Sequence, residues 1–297
     1  MKTPILILAY NRKDKVEKLI NSLKEVKPSN IYISVDGPKD ANGKNEINQV
    51  INIFKTKITW DCNRFYNISD HNLGCKKGVV SGINWFFSNV QKGIILEDDC
   101  IPSESFFRFT QTLLNKYSNQ KDVSIISGHS RYLNKNEEDY YLINYPMIWG
   151  WATWKDRWEK FDVNLDNYQL DDLKKVISKY PKDTQRFFIS IFRLCKSNRI
   201  DTWDYPLLIH NIIEGNKSII PKKSLIQNIG FDEAATHTKN SENENKNIIA
   251  NRISFPLIHP ESLEIDKKME DNYNNKLFFK KSFFGKLKGK IYEVCFS

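Results

Sequence analysis

The chain has few cysteines and lacks the motifs that most often mark a nucleotide or metal site. Its five cysteines, Cys62, Cys75, Cys100, Cys195 and Cys295, are odd in number, far apart and never spaced C-x-x-C. That excludes a zinc ribbon and points to a reducing compartment instead of a disulfide framework. No G-x-G-x-x-G follows the first apolar run, and no G-x-x-x-x-G-K-[ST] occurs anywhere, so dinucleotide-binding and P-loop readings lose their main support. No stretch approaches the ~20 apolar residues of a membrane span. The apolar run within Met1–Tyr10 is about as long as one strand. Asn11-Arg12-Lys13-Asp14 stands where a leader would carry a small-residue cleavage site, so a buried strand is expected there, in a chain expected to stay in the cytosol.

Disorder is excluded as well. Hydrophobic residues make up 40% of the 297 and aromatics 13%, enough apolar surface for a large core. The net charge of +9 (45 basic against 36 acidic residues) would permit a nucleic-acid binder. Its distribution argues against one. Residues 276–297 hold six lysines and one acid, so +5 of the +9 sits in that tail and the body is near neutral.

The first hundred residues alternate apolar runs with helical periodicity. Strands are expected at Pro4–Ala9, Ile31–Val35, Phe65–Ile68 and Ile94–Leu96. Helices are expected around Val16–Leu23, Ile47–Phe54 and Val79–Phe87. Crossovers of this length imply an α/β fold: a mostly parallel sheet with helices on both faces. Further on, helices are expected at Ser105–Tyr117, Leu170–Lys179 and Asp183–Ser197, a strand at Val123–Ser127, and a mobile loop over 238–247. Trp154 and Trp158, four apart, are expected on one helix face.

In open α/β sheets, ligands bind beyond the carboxyl ends of the strands. Three such ends carry polar clusters here: Ala9-Tyr10-Asn11-Arg12, Asp36-Gly37 and Glu97-Asp98-Asp99. A parallel sheet would place all three on one edge. Adjacent acids repel unless a cation or water separates them, and Mg²⁺ or Mn²⁺ takes one or two carboxylates plus substrate phosphates. The competing reading is a solvated acidic turn. Gly74-Cys75-Lys76-Lys77-Gly78 could open a helix toward a phosphate, or be a solvated helix start.

These residues resemble a family. The order Leu-Ala-Tyr-Asn-Arg, Ser-Val-Asp-Gly, Asn-Leu-Gly-x-x-x-Gly and Ile-Leu-Glu-Asp-Asp-Cys-Ile-Pro is similar to GT-A fold glycosyltransferases. The resemblance continues through Pro146–Trp151, Thr202-Trp203-Asp204-Tyr205, Asn228–Phe231 and Ala235-Thr236-His237-Thr238, and covers roughly residues 3–238. It is to a bacterial group related to the inverting N-acetylglucosaminyltransferases that begin complex N-glycan branching. It implies that Arg12 and Asp36 contact the nucleotide, with Lys77 on the phosphate side. It further implies that Asp98 contacts sugar or ribose, that Glu97 orients the turn, and that Asp99 ligates the Mn²⁺ or Mg²⁺. Asp204 becomes the general base, and His237 closes over the diphosphate or joins the metal. One departure stands out: related enzymes often carry two acids after the tryptophan, where this chain has Asp204 followed by Tyr205.

The resemblance thus implies transfer of a sugar from a nucleotide donor, UDP-linked in the family, to a hydroxyl of a bacterial surface glycan or lipid-linked oligosaccharide. Apolar neighbours Trp203 and Tyr205 should raise the basicity of Asp204 by desolvation. Asp204 could equally be a helix N-terminal carboxylate before Pro206. Trp149, Gly150 and Trp151 are candidates to line the acceptor side, since flat aromatic faces suit sugar rings; core packing is the alternative. The expected organisation is a nucleotide-sugar half (1–100), an acceptor-binding half (101–255) and a tail (256–297). In the tail, Phe283, Phe284, Leu287, Ile291 and Val294 share one helical face flanked by lysines, a pattern suited to an anionic membrane surface, so a peripheral place on the inner face of the cell membrane is expected. Packing on the protein is the other reading. Two further functions compete: a sugar-phosphate nucleotidyltransferase, and a non-catalytic basic membrane-binding protein.

Overall fold

The computed structural model describes residues 1–41, 43–231 and 248–275. Its centre is an eight-stranded sheet built from β1 (Ile5–Ala9), β2 (Asn30–Val35), β3 (Asn63–Ile68), β4 (Lys92–Glu97), β6 (Val123–Ser127), β7 (Tyr140–Ile143), β8 (Trp151–Trp154) and β9 (Lys217–Pro221). The order is β3-β2-β1-β4-β8-β6-β9-β7. β1 to β4 are mutually parallel; β8 runs against β4 and β6, and β7 runs against β9. The α/β expectation, a mostly parallel sheet with helices on both faces, is met.

Strand alternation sorts the core into two layers. Ile5, Ile7, Ile31 and Ile33 face one side, against α1 (Lys13–Leu23), α2 (Gly43–Lys57) and α4 (Glu104–Lys116). Leu6, Leu8 and Tyr32 face the other, against α3 (Gly74–Asn89), α6 (Leu170–Ile177), α7 (Lys182–Lys196) and α8 (Asp204–Ile213). β1 and the middle of β4 are apolar throughout because both faces are covered, which is what their unbroken apolar runs anticipate. A short ribbon of β5 (Cys100–Pro102) and β10 (Ile226–Asn228) lies beyond the sheet.

The aromatic segment departs from expectation. Trp154 ends β8, while Trp158 ends the one-turn α5 (Lys155–Trp158), so the two rings enter opposite core layers and do not share a helix face. Strand alternation, with side chains on opposite faces at successive residues, governs the first of them.

Strand order positions the site. The chain adds β2 and β3 on one side of β1, then returns to place β4 on the other side. The β1/β4 seam is therefore a topological switch point, with a crevice beyond its carboxyl ends. At the opposite, amino-terminal end of that seam, an added Cβ at Gly93 would sit 2.2 Å from the Phe86 ring and 3.0 Å from the Pro4 carbonyl. Overpacking of this kind costs about 1–3 kcal/mol. Gly93→Ala should accordingly lower unfolding free energy by that amount in a urea titration. Gly215→Asn, at a left-handed position with open space around it, should cost less than about 0.5 kcal/mol.

Candidate functional site

Arg12 follows β1 and the acidic triplet follows β4, so the switch point brings them face to face. The Arg12 guanidinium spans two carboxylates. Its Nη1 donates to Asp99 Oδ2 at 2.8 Å. Its Nε, at 3.4 Å, and Nη2 both reach Asp98. The Tyr10 main-chain N–H also donates to the Asp98 carboxylate. Asp98 and Asp99 are 2% and 8% exposed, so this is a nearly dry ion cluster. The guanidinium itself is depressed by burial but driven up further by Asp98 and Asp99, so it stays charged.

Glu97 completes the cluster differently. Its Oε1 is shielded from solvent and has no hydrogen-bond partner. Burial, and then the charges of Asp99, Asp98 and Asp204, push its carboxyl well above the usual carboxylate range against the pull of Arg12. The same causes raise Asp98: burial first, then Asp99, with Arg12 opposing. The competing reading of a solvated acidic turn does not describe this triplet.

From the other side the ribbon closes in. Asn228 pairs with Cys100, and Ile229 N–H donates to the Asp99 carbonyl at 2.9 Å. A Cβ at Gly230 would lie 2.3 Å from Asp99 Oδ2 and 3.0 Å from Asn228 Oδ1, so only glycine lets the backbone pass so near that carboxylate. Among the described residues, no group of three or more His, Cys, Asp or Glu side chains forms a ready metal cage. The donor set suits a hard cation held by one carboxylate, Asp99, with remaining ligands drawn from a bound phosphate. The orphaned Glu97 oxygen is the polar atom such a group, or a water on it, would satisfy. His237 and residues 238–247 lie outside the described residues.

Asp36, after β2, ties the third crossover to the sheet edge. Its Oδ1 accepts from Gly37 N–H at 2.8 Å and Leu73 N–H at 2.9 Å, and its Oδ2 from Asn72 Nδ2 at 3.0 Å. Ala9 carries the Asp36 main chain through its carbonyl at 3.1 Å. Asn11 turns away, donating to Glu46 Oε2 at 2.7 Å. Lys77 is exposed on the first turn of α3. The phosphate-ready start of that helix is already filled: Asp201 accepts from the N–H groups of Cys75 and Lys76, each at 3.2 Å. Gly74, at φ +80°, admits the carboxylate where a Cβ would meet it at 2.7 Å. The reading of this segment as a phosphate cradle is corrected accordingly; an acid 126 residues away in the chain gives no local sign of itself.

Asp204 is the first residue of α8 and 5% exposed. Its Oδ1 accepts from the Tyr205 N–H at 2.8 Å and from Thr202 Oγ1. Its charge acts on Glu97, and together with Glu97, Asp201 and Asp36 it acts on the half-buried Cys75 thiol, which desolvation has already pushed far up. The acids after β2 and β4 and the acid heading α8 thus surround one helix start.

The expectation for the tryptophans is corrected. Trp149 and Trp151 are each 1% exposed. Trp151 stacks on Trp203 at 5.9 Å and meets Trp158 at 6.1 Å, so it supports the residue that precedes Asp204. Trp149 packs on His129 at 4.2 Å and on Phe231 at 5.5 Å. Gly150 is covered by Ile226 and Leu96. None of the three offers a face to an acceptor in this conformation, because tertiary burial claimed all of them.

Comparison with known proteins finds distant likenesses among solved structures. No protein-family model matches the chain, and no curated protein matches it. S. aureus TarS 1–349 is 10% identical, with a TM-score of 0.42 over 76% of this chain and 60% of that one. The mannosyltransferase PcManGT from Pyrobaculum calidifontis, in complex with GDP-Man and Mn²⁺, is 12% identical, with a TM-score of 0.35 over 70% of this chain and 68% of that one. UDP-glucose pyrophosphorylase complexed with UDP-glucose is 10% identical, with a TM-score of 0.34 over 74% and 90%. Function is therefore argued from this chain's own residues.

His129, beneath Trp149, gives the site a pH signature. Burial and then the nearby charge of Arg131 pull its imidazole down to about 3. The folded state holds it neutral while the unfolded chain protonates near pH ~6.5. Its stabilisation is therefore complete above pH ~6.5 and is lost progressively as pH falls toward 3, with a slope of up to ~1.4 kcal/mol per pH unit. His129→Phe, which keeps a ring against Trp149, should flatten the stability profile by about one proton across that window in urea titrations at stepped pH. An unchanged slope would refute the assignment.

Proposed function

We propose that this chain is a metal-dependent, inverting GT-A glycosyltransferase. Its donor is a nucleotide-sugar, UDP-linked, and its acceptor a hydroxyl on a bacterial surface glycan or lipid-linked oligosaccharide. One observation carries the reading: at the β1/β4 switch point a guanidinium and three carboxylates form a nearly dry cluster, and a fourth carboxylate, Asp204, lies within electrostatic reach. Ligands of open α/β sheets bind at that place.

Each residue has a separate task. Asp99 would hold Mn²⁺ or Mg²⁺, and Asp36 would receive the nucleoside, its carboxylate already fixed by the 72–73 turn. Asp98, buried, and Glu97, half-buried, shape the turn and face the sugar. When bound, the cation supplies a counter-charge for the diphosphate as it departs, where electrostatic help is most productive. Asp204 takes the proton of the attacking hydroxyl, held in orientation by Thr202, the Tyr205 N–H and the Trp151–Trp203 stack. Attack opposite the leaving group inverts the anomeric carbon. His237 belongs to this proposal as a residue closing over the diphosphate. Residues 276–297, lysine-rich and amphipathic in sequence, suit an acceptor presented at the inner face of an anionic membrane; they too lie outside the described residues. Among the described residues, no helix is long and apolar enough to cross a membrane.

Thermal-shift screening of UDP-, GDP-, CMP- and dTDP-sugars with and without Mn²⁺ tests the reading. Manganese-dependent stabilisation by one nucleotide-sugar is expected, and Asp99→Asn should abolish it. The product of turnover should be a nucleoside diphosphate and a glycoside of inverted configuration. Pyrophosphate release would instead establish a nucleotidyltransferase, and a retained configuration would remove Asp204 as base.

A further inference from the structure

We propose that Arg12 is the resident counter-cation of the acidic turn, and that a nucleoside diphosphate must draw it off before a divalent cation can occupy Asp99. This rests on the reading of the site given above. The oxygen that would bind the cation is Asp99 Oδ2. Arg12 Nη1 lies 2.8 Å from it. The Gly230 backbone closes its other side, where even a methyl group would lie 2.3 Å away. The remaining oxygen, Oδ1, faces the Cys100 thiol at 3.6 Å. A cation arriving alone would meet a guanidinium already on its ligand and would have to displace it.

Displacement is costly for a chemical reason. Arg12 binds Asp98 through two nitrogens and Asp99 through a third, so every nitrogen of its fixed fork is engaged by a carboxylate. Pulling it away leaves Asp98, 2% exposed, without its counter-charge. A diphosphate changes the balance, because paired oxygens on its tetrahedral phosphoryl groups offer the planar fork a multiply charged, bidentate partner. It also brings oxygens to a cation on Asp99. Arg12 is 21% exposed at its side chain, whereas Asp98 is 3% exposed, so the guanidinium is the member of the cluster that can turn toward an arriving ligand. Cation loading is thereby coupled to nucleotide loading by the chain itself, and the coupling is reciprocal.

Manganese titration of the full chain, followed by the electron paramagnetic resonance of free Mn²⁺, tests this. Wild type should bind Mn²⁺ alone weakly. Arg12→Gln should bind Mn²⁺ alone at least tenfold more tightly, while its nucleoside diphosphate affinity falls. An Arg12→Gln chain that is folded by circular dichroism and binds Mn²⁺ no better than wild type overturns the proposal. Should that variant not fold, wild type answers by itself. The ¹⁵N resonance of Arg12 Nε should be unmoved by Mg²⁺ alone and shift when Mg²⁺ and UDP are present together. An equal shift with Mg²⁺ alone also overturns it. If no pairing of Mn²⁺ with UDP, GDP, CDP or dTDP binds any variant, the reading of the site as a metal–nucleotide centre has failed. If cation and nucleotide bind together but Arg12→Gln changes nothing for Mn²⁺ alone, only the counter-cation role is lost.

Discussion

Three consecutive acids crowd negative charge at the end of a buried strand, and Arg12 is the cation that opposes it, bonded to Asp98 and Asp99. That ion cluster is the constraint around which the described structure is arranged. Its members come from two strands that are adjacent only because the chain reverses its direction of sheet growth at β1. Removing either partner would strand a charge in a nearly dry setting, at a cost of about 3–5 kcal/mol. The glycine ribbon after β10 can approach only because residue 230 has no side chain. The start of α3 is pinned by two carboxylates, Asp36 through the Leu73 N–H and Asp201 through the Cys75 N–H.

Much of this was legible in the sequence. Unbroken apolar runs mark strands that are buried on both faces, and β1, β2 and β4 are such strands. Polar clusters after three of those runs mark the sheet edge where ligands gather, because strand ends are where side chains can leave the core without losing hydration. The triplet, Arg12, Asp36 and Asp204 were all readable as candidates. What could not be read was which charge meets which. Arg12 and Asp98 are 86 residues apart, and only strand order makes them neighbours.

The errors share one cause. Trp149 and Trp151 have the chemistry of a sugar platform, but tertiary packing took both rings: Trp151 into the core layer shared with α7 and α8, and Trp149 into the opposite layer. The start of α3 has the chemistry of an anion site, and Asp201 is the anion that fills it. In both cases local residue type described what a segment can bind, while long-range packing decided what it does bind. The Trp151–Trp203 stack packs the loop between α7 and α8 onto β8, one residue before Asp204.

The central claim is that the β1/β4 crevice is where a cation and a nucleotide diphosphate meet. Anomalous diffraction from crystals soaked with MnCl₂ and the stabilising nucleoside diphosphate tests it most directly. The account predicts one manganese peak about 2.0–2.4 Å from an Asp99 carboxylate oxygen, with phosphate oxygens completing its shell. A nucleotide bound elsewhere on the protein, or a manganese peak with no contact to Asp99, would contradict it.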